Sequence, residues 1–297
     1  MPEASASRGL VGRIFGPLHL PVGDNFAVAG LIIYAVFAFT AIFAPVLAPY
    51  DPTEILYSAE YNLASDLMPG EEGHVLGTTS LGRDIFSQIL FGARSALLVG
   101  LTAAFMVSVI GTIIGLLSGY FGGWVDTVLM RLADVAFGIP FLPFVIVISA
   151  FLQPSIWNTV IAMALVLWRD TARVIRSQVL TLRSRGYVEA ARVSGSSDMS
   201  IIVRHIAPNI VPLSLLYGSI AIGWAILTEA SISFLGFGDP DSISWGFMLQ
   251  DAFASQALSR QAYHWFIPPG IAIILVVSAG FFISRGYENL LFPKLGR

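Results

Sequence analysis

Long apolar runs separated by polar segments make up most of this chain. A helix needs about 20 apolar residues to cross the roughly 30 Å hydrocarbon core of a bilayer. Runs that reach or approach this length cover residues 26–48, 97–121, 124–151, 209–234 and 267–283, and one more begins at residue 156. The pattern therefore predicts an all-α membrane protein with six transmembrane helices.

The run that begins at residue 156 stops being apolar at residue 168 and is too short to cross a bilayer alone. The fourth helix must therefore continue through Arg169, Asp170 and Arg173. At that depth, ionisable side chains need a partner or an aqueous contact. We expect Arg169 and Asp170 to contact the interior of the bundle, a translocation pathway or a partner subunit.

Polar segments divide the chain into five parts. They are a cytoplasmic N-terminal segment (1–25), the first transmembrane helix (26–48), a large outer segment with an interfacial helix (49–93), a core of helices two to six (94–285) with a cytoplasmic loop (183–208), and a cytoplasmic tail (286–297). For residues 1–25, an amphipathic surface helix and a disordered tail both remain open. The interfacial helix is expected to turn into the second span at Gly92, and Pro140 and Pro143 are expected to kink the third span.

Charge predicts the orientation of these spans. With the amino terminus inside, the inner segments hold 13 Lys and Arg residues and the outer segments hold 3. Basic residues are enriched in cytoplasmic loops of membrane proteins. Both termini and the loop 183–208 are therefore predicted to lie in the cytoplasm, with the chain in the cytoplasmic membrane.

Composition narrows the chemistry that this chain can perform. The net charge of −3 offers no general attraction to nucleic acid, and the absence of Cys excludes disulfides, thiolate metal sites and Cys nucleophiles. No His lies in the middle of a span, and no metal site is expected. The chain has no phosphate-binding G-x-x-x-x-G-K-[ST] motif, so ATP-driven transport would require a nucleotide-binding partner.

Two features inside the spans point to contacts. Gly111, Gly115 and Gly119 repeat every four residues, a spacing that lets two helix backbones approach closely, within the chain or to a partner. Glu229 is a lone carboxylate near the outer end of the fifth span, where it must be hydrated, paired or shallow. Contact with a translocation path and an ion pair to a partner subunit both remain open for Glu229.

The basic stretch 169–212 carries the most specific signal. Gly195 suits the left-handed position that ends a helix, Ser197 can cap the next helix, and Asp198 favours its first turn. Pro208 and Pro212 are expected to break or restart the helix that follows. Charge alone favours an ordinary basic loop. The order Glu189-Ala190-Ala191, Gly195 and Pro208, however, resembles the cytoplasmic "EAA" loop of ABC-transporter permeases.

Three further passages resemble the C-type permeases of dipeptide and oligopeptide importers. They are the G-T-T-S-L-G-R-D-I segment within 77–94, residues 130–143, and the stretch 229–249 with E-A-S-I-S-F-L-G-F-G and S-W-G-F-M-L. The similarity covers the chain from about residue 26 to the end. It implies a type I ABC-importer permease fold and a subunit that transports and does not catalyse.

The resemblance also implies partners. They are a homologous second permease, one or two cytoplasmic ATPases that hold ATP and Mg²⁺, an outer solute-binding protein and membrane lipid. Contact with the ATPase is expected at Glu189, Ala190, Ala191, Gly195, Ser196, Ser197, Asp198 and His205. Contact with the binding protein is expected at the acidic outer residues Asp51, Glu54, Glu60 and Asp66.

Three other functions fit the sequence less well than an ABC-importer permease does. A secondary transporter normally has inverted repeats and buried ion-coupling carboxylates, and only Glu229 fits that description. An intramembrane hydrolase needs a nucleophile and a base at membrane depth, where this chain has no Cys and no His. A purely structural or receptor subunit would not require a loop with the spacing of Glu189, Gly195 and Pro208. Within the importer class the cargo is expected to be a dipeptide or oligopeptide, with an oligosaccharide or a nickel chelate as alternatives.

Overall fold

The computed structural model describes residues 24–57 and 62–291, and the regular elements within these ranges are helical apart from two isolated β-bridges. The helices are α1 (Asn25–Leu47), α2 (Ile85–Phe121), α3 (Gly123–Gly138), α4 (Phe141–Phe151), α5 (Ile156–Leu182), α6 (Gly186–Val193), α7 (Asp198–Ile201), α8 (Ala207–Phe234), α9 (Trp245–Ala254) and α10 (Tyr263–Leu291). The expectations for residues 1–23, Glu60 and residues 292–297 lie outside the described residues.

Four helical stretches are long and apolar enough to cross a membrane: α1, α2, the run Asp198–Phe234 and Tyr263–Asn289. The pair α3 and α4 forms a fifth if it is counted as one broken span, bent by 85°. The break lies at Ile139 and Pro140, as expected for Pro140, because a residue before proline is disfavoured in the helical conformation. Pro143, which was also expected to kink this span, lies in the first turn of α4 without a break of its own. An all-helical membrane protein is therefore confirmed, with four or five spans recognisable by composition.

Helix α5 extends from Ile156 to Leu182 and continues through Arg169, Asp170 and Arg173, as predicted. These three charged residues, with Arg176, keep α5 from qualifying as an apolar span. The moderate hydrophobicity of α5 is therefore a consequence of these charged residues. The helix nevertheless packs more extensively against α2 than any other pair of helices in the described chain packs together.

The prediction of a separate interfacial helix that turns at Gly92 is wrong. Helix α2 runs without interruption for 37 residues from Ile85, and its first turn is capped by Asp84, whose carboxylate accepts the N–H of Ser87 at 2.7 Å. Gly92 serves close packing and not a turn. A Cβ atom at Gly92 would lie 2.5 Å from Cδ1 of Trp245, so only glycine lets the indole ring pack against the helix.

The last helix is also longer than expected. It begins at Tyr263, includes Pro268 and Pro269, and continues to Leu291, so the first six residues of the predicted tail are helical. Near its end, Asn289 donates a hydrogen bond to Asp24 at 2.5 Å. Leu291 packs on the same hydrophobic cluster as Val188 of α6. Both ends of the described chain therefore lie at the end of the bundle that carries α6 and α7.

The other end of the bundle is organised around Trp245, which is almost fully buried at the start of α9. Its indole N–H donates to the carbonyl of Ile89 at 3.0 Å, and its ring meets Phe37 of α1 edge-on at 5.4 Å. The adjacent Gly246 lies against the backbone of Ala230 in α8. One side chain and one glycine thus hold α1, α2, α8 and α9 together.

Close backbone approach also sets the register between α2 and its neighbours. Gly111, Gly115 and Gly119 face Thr171, Ile175 and Val179 of α5, respectively. The offset in residue number is constant, so α2 and α5 are parallel and remain in register. Against α8 the direction is reversed, because Gly100 faces Ile226 while Thr112 and Ser214 share a hydrogen bond of 2.8 Å.

We expect Gly115→Ala to destabilise the protein by about 1–3 kcal/mol, the usual cost of overpacking. The added Cβ would lie 2.7 Å from the carbonyl oxygen of Ala172, which is backbone and cannot move aside cheaply. The measurement is the thermal unfolding midpoint of the purified protein in detergent. Gly270→Ala in α10 is the matched control, since a Cβ there meets nothing within 4 Å. Equal midpoints for the two variants would contradict the role of Gly115.

Candidate functional site

The connection between α5 and α8 contains the two short helices that the sequence predicted. Helix α6 ends before Gly195, whose φ of +79° is the left-handed conformation expected there. Across this glycine, the N–H of Ser196 donates back to the carbonyl of Ala191 at 3.1 Å. Ser197 then caps α7 by accepting the N–H of Ser200 at 3.4 Å. A glycine reversal and a serine cap therefore shape this loop, as predicted.

Helix α7 leads into α8 through a π-helical turn, Ile202–Ile206. Pro208 lies at the start of α8 and Pro212 lies within it, and neither ends the helix. The π turn, with its rearranged hydrogen bonds, comes directly before Pro208. Proline has no backbone N–H, so a regular α-helical pattern would lose one hydrogen bond there. Pro208 thus lies where α8 begins, as predicted, whereas the prediction that Pro212 breaks or restarts the helix is wrong. Helices α7 and α8 are joined without an interruption by the π turn.

One face of the loop is anchored in the bundle. Val188 of α6 and Ile201 of α7 are fully buried in a cluster with residues of α2, α5 and α8, which we call the loop-base cluster. Its buried members are Leu116, Tyr120, Ile175, Val179, Val188, Ile201, Ile202, Ile206, Ile210 and Leu213. Because three long helices meet in this cluster, a displacement of the loop must displace them or break their packing.

The opposite face of the loop is free in the described chain. Glu189, Ala190, Gly195, Ser197 and Asp198 are exposed, whereas Ala191, Ser196 and His205 are half-buried. Two apolar side chains that the sequence analysis missed accompany them: Val193 is 90 % exposed and Met199 is 57 % exposed. Exposed apolar residues on a rigid base are typical of protein–protein docking surfaces. The sequence could have indicated both residues, because Val193 and Met199 lie opposite the buried Val188 and Ile201 on the two short helices.

Polar contacts also tie the loop to the C-terminal turn of α2. The hydroxyl of Tyr120 donates to the Asp198 carboxylate at 2.6 Å. The guanidinium of Arg183 donates to the carbonyl oxygens of Gly119 and Tyr120 at 3.2 and 3.3 Å. These carbonyls belong to the last turn of α2, which has no further helical donors of its own. Tyr120 was not among the predicted residues, because its partner is far away in sequence.

A family model for the binding-protein-dependent transport system inner membrane component matches residues 111–297. The match includes the whole α5–α8 connection. The chain belongs to this family. A second model, the N-terminal transmembrane domain of oligopeptide transport permease C, matches residues 23–69. The resemblance to inner-membrane permeases of ABC importers is thereby confirmed.

Individual relatives agree with the family. The chain is 37 % identical over 268 residues to the glutathione transport system permease protein GsiD of Pectobacterium atrosepticum, covering 90 % of this chain and 86 % of that protein. It is 36 % identical to the oligopeptide transport system permease protein OppC of Bacillus subtilis and 36 % identical to the dipeptide transport system permease protein DppC of Alkalihalophilus pseudofirmus. In both cases the match covers 92 % of this chain and 87 % of the relative. This chain is a permease subunit of the same class.

The arginines of α5 are satisfied inside the permease, mainly by α3. Arg176 contacts both oxygens of Asp126 at 2.5 Å, and Asp126 also accepts the hydroxyl of Ser118 in α2. One turn earlier, Arg173 reaches Asp134 at 2.9 Å. The carboxylate of Asp126 therefore joins α2, α3 and α5 at the end of the bundle that carries the loop.

Arg169 and Asp170 differ in their surroundings. The Arg169 side chain is only 12 % exposed, donates to the carbonyl of Ala136 and stacks over the Phe137 ring at 4.5 Å. Asp170 lies 3.6 Å from Arg169 but keeps 55 % of its side chain exposed. Arg169 thus contributes to packing within the chain, while Asp170 remains accessible to a partner.

Glu229 is enclosed by its own chain. Its carboxylate is 7 % exposed and accepts the hydroxyl of Ser233 at 2.6 Å, and Ser244 at the start of α9 lies beside it. With Asp239 and Thr159 it lines a cavity of about 10 Å³, the space of one water molecule. The structure therefore brings two carboxylates together where α5, α8 and α9 meet.

The acidic residues of the connection 48–84 divide into exposed and internally bound groups. Asp51 and Glu54 are exposed, and hydrogen bonds from the side chain and backbone of Thr53 lower the pKa of Asp51. Asp66, in contrast, forms an ion pair with Arg260 in the connection between α9 and α10. Asp66 therefore holds two connections together, while Asp51 and Glu54 face solvent.

An open groove runs between α2 and α8. Its volume is about 480 Å³, and its walls are apolar except for hydroxyl groups. The hydroxyl-bearing residues along it are Ser108, Thr112, Ser214 and Ser219. The two helices that form this groove, α2 and α8, also enter the loop-base cluster.

We expect Asp126→Asn to destabilise the permease by about 1–2 kcal/mol, since it leaves the half-buried Arg176 guanidinium without its counter-charge. The half-exposed pair of Arg173 and Asp134 provides the matched control, and Asp134→Asn should cost about 1 kcal/mol or less. Both variants are compared by thermal unfolding in detergent. A larger loss for Asp134→Asn would refute this assignment.

Proposed function

We propose that this permease forms half of the translocation pathway of an ATP-driven importer for peptides or peptide-like solutes. The named relatives transport glutathione, oligopeptides and dipeptides, which share a peptide backbone. The loop of α6 and α7 carries the proposal, because it combines an anchored base with an exposed face. A homologous second permease supplies the other half, and an outer binding protein delivers the cargo.

In the proposed complex, one or two separate cytoplasmic ATPases bind ATP and Mg²⁺ and receive the exposed face of the loop. Glu189, Ala190 and the apolar Val193 and Met199 form the docking surface, and Gly195 permits the reversal between the two helices. Closing of the ATPases displaces the loop, and the loop-base cluster transmits the displacement to α2, α5 and α8. The groove between α2 and α8 then changes its width.

We propose six transmembrane helices, with α5 as the span that composition alone does not reveal. Its parallel register with the apolar α2 and the internal pairing of Arg169, Arg173 and Arg176 support this count. The loop, Asp24 and Asn289 share one end of the bundle, and the excess of basic residues favours the cytoplasm for that end. Both termini are then cytoplasmic, and the connection 48–84 is the outer segment.

The outer segment is proposed to meet the binding protein through its exposed acidic residues Asp51 and Glu54. A long connection in a compact protein is usually functional. The buried pair of His74 and Asp84, 2.8 Å apart, and the ion pair of Asp66 with Arg260 hold it against the helices. A rigid acidic surface suits repeated docking of a soluble partner.

The orientation is tested by labelling single cysteines, because the chain contains none of its own. We expect Ser197→Cys to react with a membrane-impermeant maleimide only in inside-out vesicles. Val75→Cys, exposed in the 48–84 connection, should react in intact cells or spheroplasts. Labelling of position 197 from outside intact cells would overturn the proposed topology and the docking of the ATPase.

Coupling is tested in proteoliposomes that contain the complete complex and its binding protein. We expect the wild-type complex to take up radiolabelled trialanine or glutathione in an ATP-dependent manner. Gly195→Glu should hydrolyse ATP with little uptake, because a non-glycine residue pays about 1–2 kcal/mol for the left-handed conformation and a carboxylate enters the docking surface. Glu189→Ala should likewise uncouple hydrolysis from uptake.

The matched control for coupling is Gly186→Ala. This glycine has nothing within 4 Å of an added Cβ and an ordinary backbone conformation. It should leave the ratio of uptake to hydrolysis at the wild-type value. Normal coupling in both Gly195→Glu and Glu189→Ala would contradict the role of the loop, and uptake driven by an ion gradient without ATP would contradict the proposed function.

A further inference from the structure

A side-chain hydrogen bond with a buried donor joins helix α7 of the loop to helix α2. Tyr120 is 7 % exposed and belongs to the loop-base cluster through its ring, while its hydroxyl reaches Asp198 at 2.6 Å. Asp198 lies in the first turn of α7, directly after the Ser197 cap. The bond therefore connects the start of α7 with the end of α2.

Three polar contacts converge on the same turn of α2. The hydroxyl of Ser118 donates a hydrogen bond to Asp126 of α3. The carbonyl oxygens of Gly119 and Tyr120 accept hydrogen bonds from the Arg183 guanidinium. The hydroxyl of Tyr120 donates to Asp198. Only the last of these reaches α7, which continues into α8. The hydrophobic effect that stabilises the loop-base cluster is itself non-directional. A hydrogen bond, in contrast, loses its strength when its distance or angle changes.

Helix α2 is suited to carry a displacement across the whole bundle. Its 37 residues form one unbroken helix, roughly 55 Å long at 1.5 Å per residue. At its far end, Asp84 caps the first turn and pairs with His74, and Gly92 receives Trp245. The end of α2 beside the loop and the end beside the 48–84 connection are thus parts of one rigid element.

We propose that the hydroxyl of Tyr120 is a positioning group that locks α7 to α2, so that a movement of the loop reaches the 48–84 connection and α9 through α2. The same link carries a signal in the opposite direction, from a docked binding protein to the ATPases. This inference rests on the proposed function and adds to it the residue and the helix that transmit the movement. Phenylalanine at position 120 keeps the ring packing and removes only the hydroxyl, which bonds to Asp198 and also has the Arg192 side chain beside it.

The experiment measures how strongly the binding protein, loaded with trialanine or glutathione, stimulates ATP hydrolysis by the complete complex in nanodiscs. We expect Tyr120→Phe to reduce the ratio of stimulated to basal hydrolysis by about tenfold or more, the scale of one hydrogen bond to a charged acceptor. Asp198→Ala should do the same, and Asp198→Asn, which keeps an acceptor oxygen, should retain most of the stimulation.

The double variant Tyr120→Phe with Asp198→Ala should lose no more stimulation than either single variant, because both changes remove one contact. Tyr217→Phe is the matched control. Tyr217 packs on the same cluster, and its hydroxyl makes no hydrogen bond to residues in the described ranges. It should be stimulated like the wild type.

Three results separate the possible failures. If Tyr120→Phe and Tyr217→Phe are both stimulated normally, the inference is overturned while the proposed function stands. If Tyr120→Phe lowers only the amount or thermal stability of the complex, with normal stimulation, Tyr120 is a packing residue and the inference is again overturned. If the wild-type complex is not stimulated with either cargo while Gly195→Glu behaves like the wild type, the proposed function fails as well.

Discussion

The close parallel contact between α2 and α5 is the interaction on which the rest of this permease depends. Between membrane helices, association relies on van der Waals packing and not on expulsion of water, so small residues at the contact matter most. Gly111, Gly115 and Gly119 supply them and bring the α2 backbone against Thr171, Ile175 and Val179. The resulting register places Arg176 and Arg183 at the C-terminal turn of α2, where the loop begins.

That register also explains how so many charges are tolerated in a helix of this bundle. An unpaired arginine at membrane depth is costly, whereas one with a carboxylate or carbonyl partner is not. Asp126 and Asp134 of α3 face Arg176 and Arg173, and the break at Pro140 lets α3 lie along α5 while α4 takes another direction. The charged face of α5 is thus a packing surface within the permease.

The two ends of the bundle are built differently. The end with α6 and α7 combines a buried apolar cluster with an exposed surface, an arrangement that resists bending and still offers contacts to a partner. The opposite end is held by Trp245, by the cap at Asp84 and by the ion pair of Asp66 with Arg260. The unbroken helix α2 connects both ends.

Local features were determined by the sequence alone: the apolar helices, the Gly195 reversal, the Ser197 cap and the break before Pro140 each depend on residues a few positions apart. Their energies are set by backbone conformation and nearby hydrogen bonds, which any chain with those residues shares. Only the tertiary structure decided that Gly92 continues a helix, that Asp126 pairs with Arg176 and that Tyr120 meets Asp198. Those outcomes depend on the register between helices distant in sequence, and that register is set by the packing of glycine, tryptophan and apolar side chains throughout the bundle.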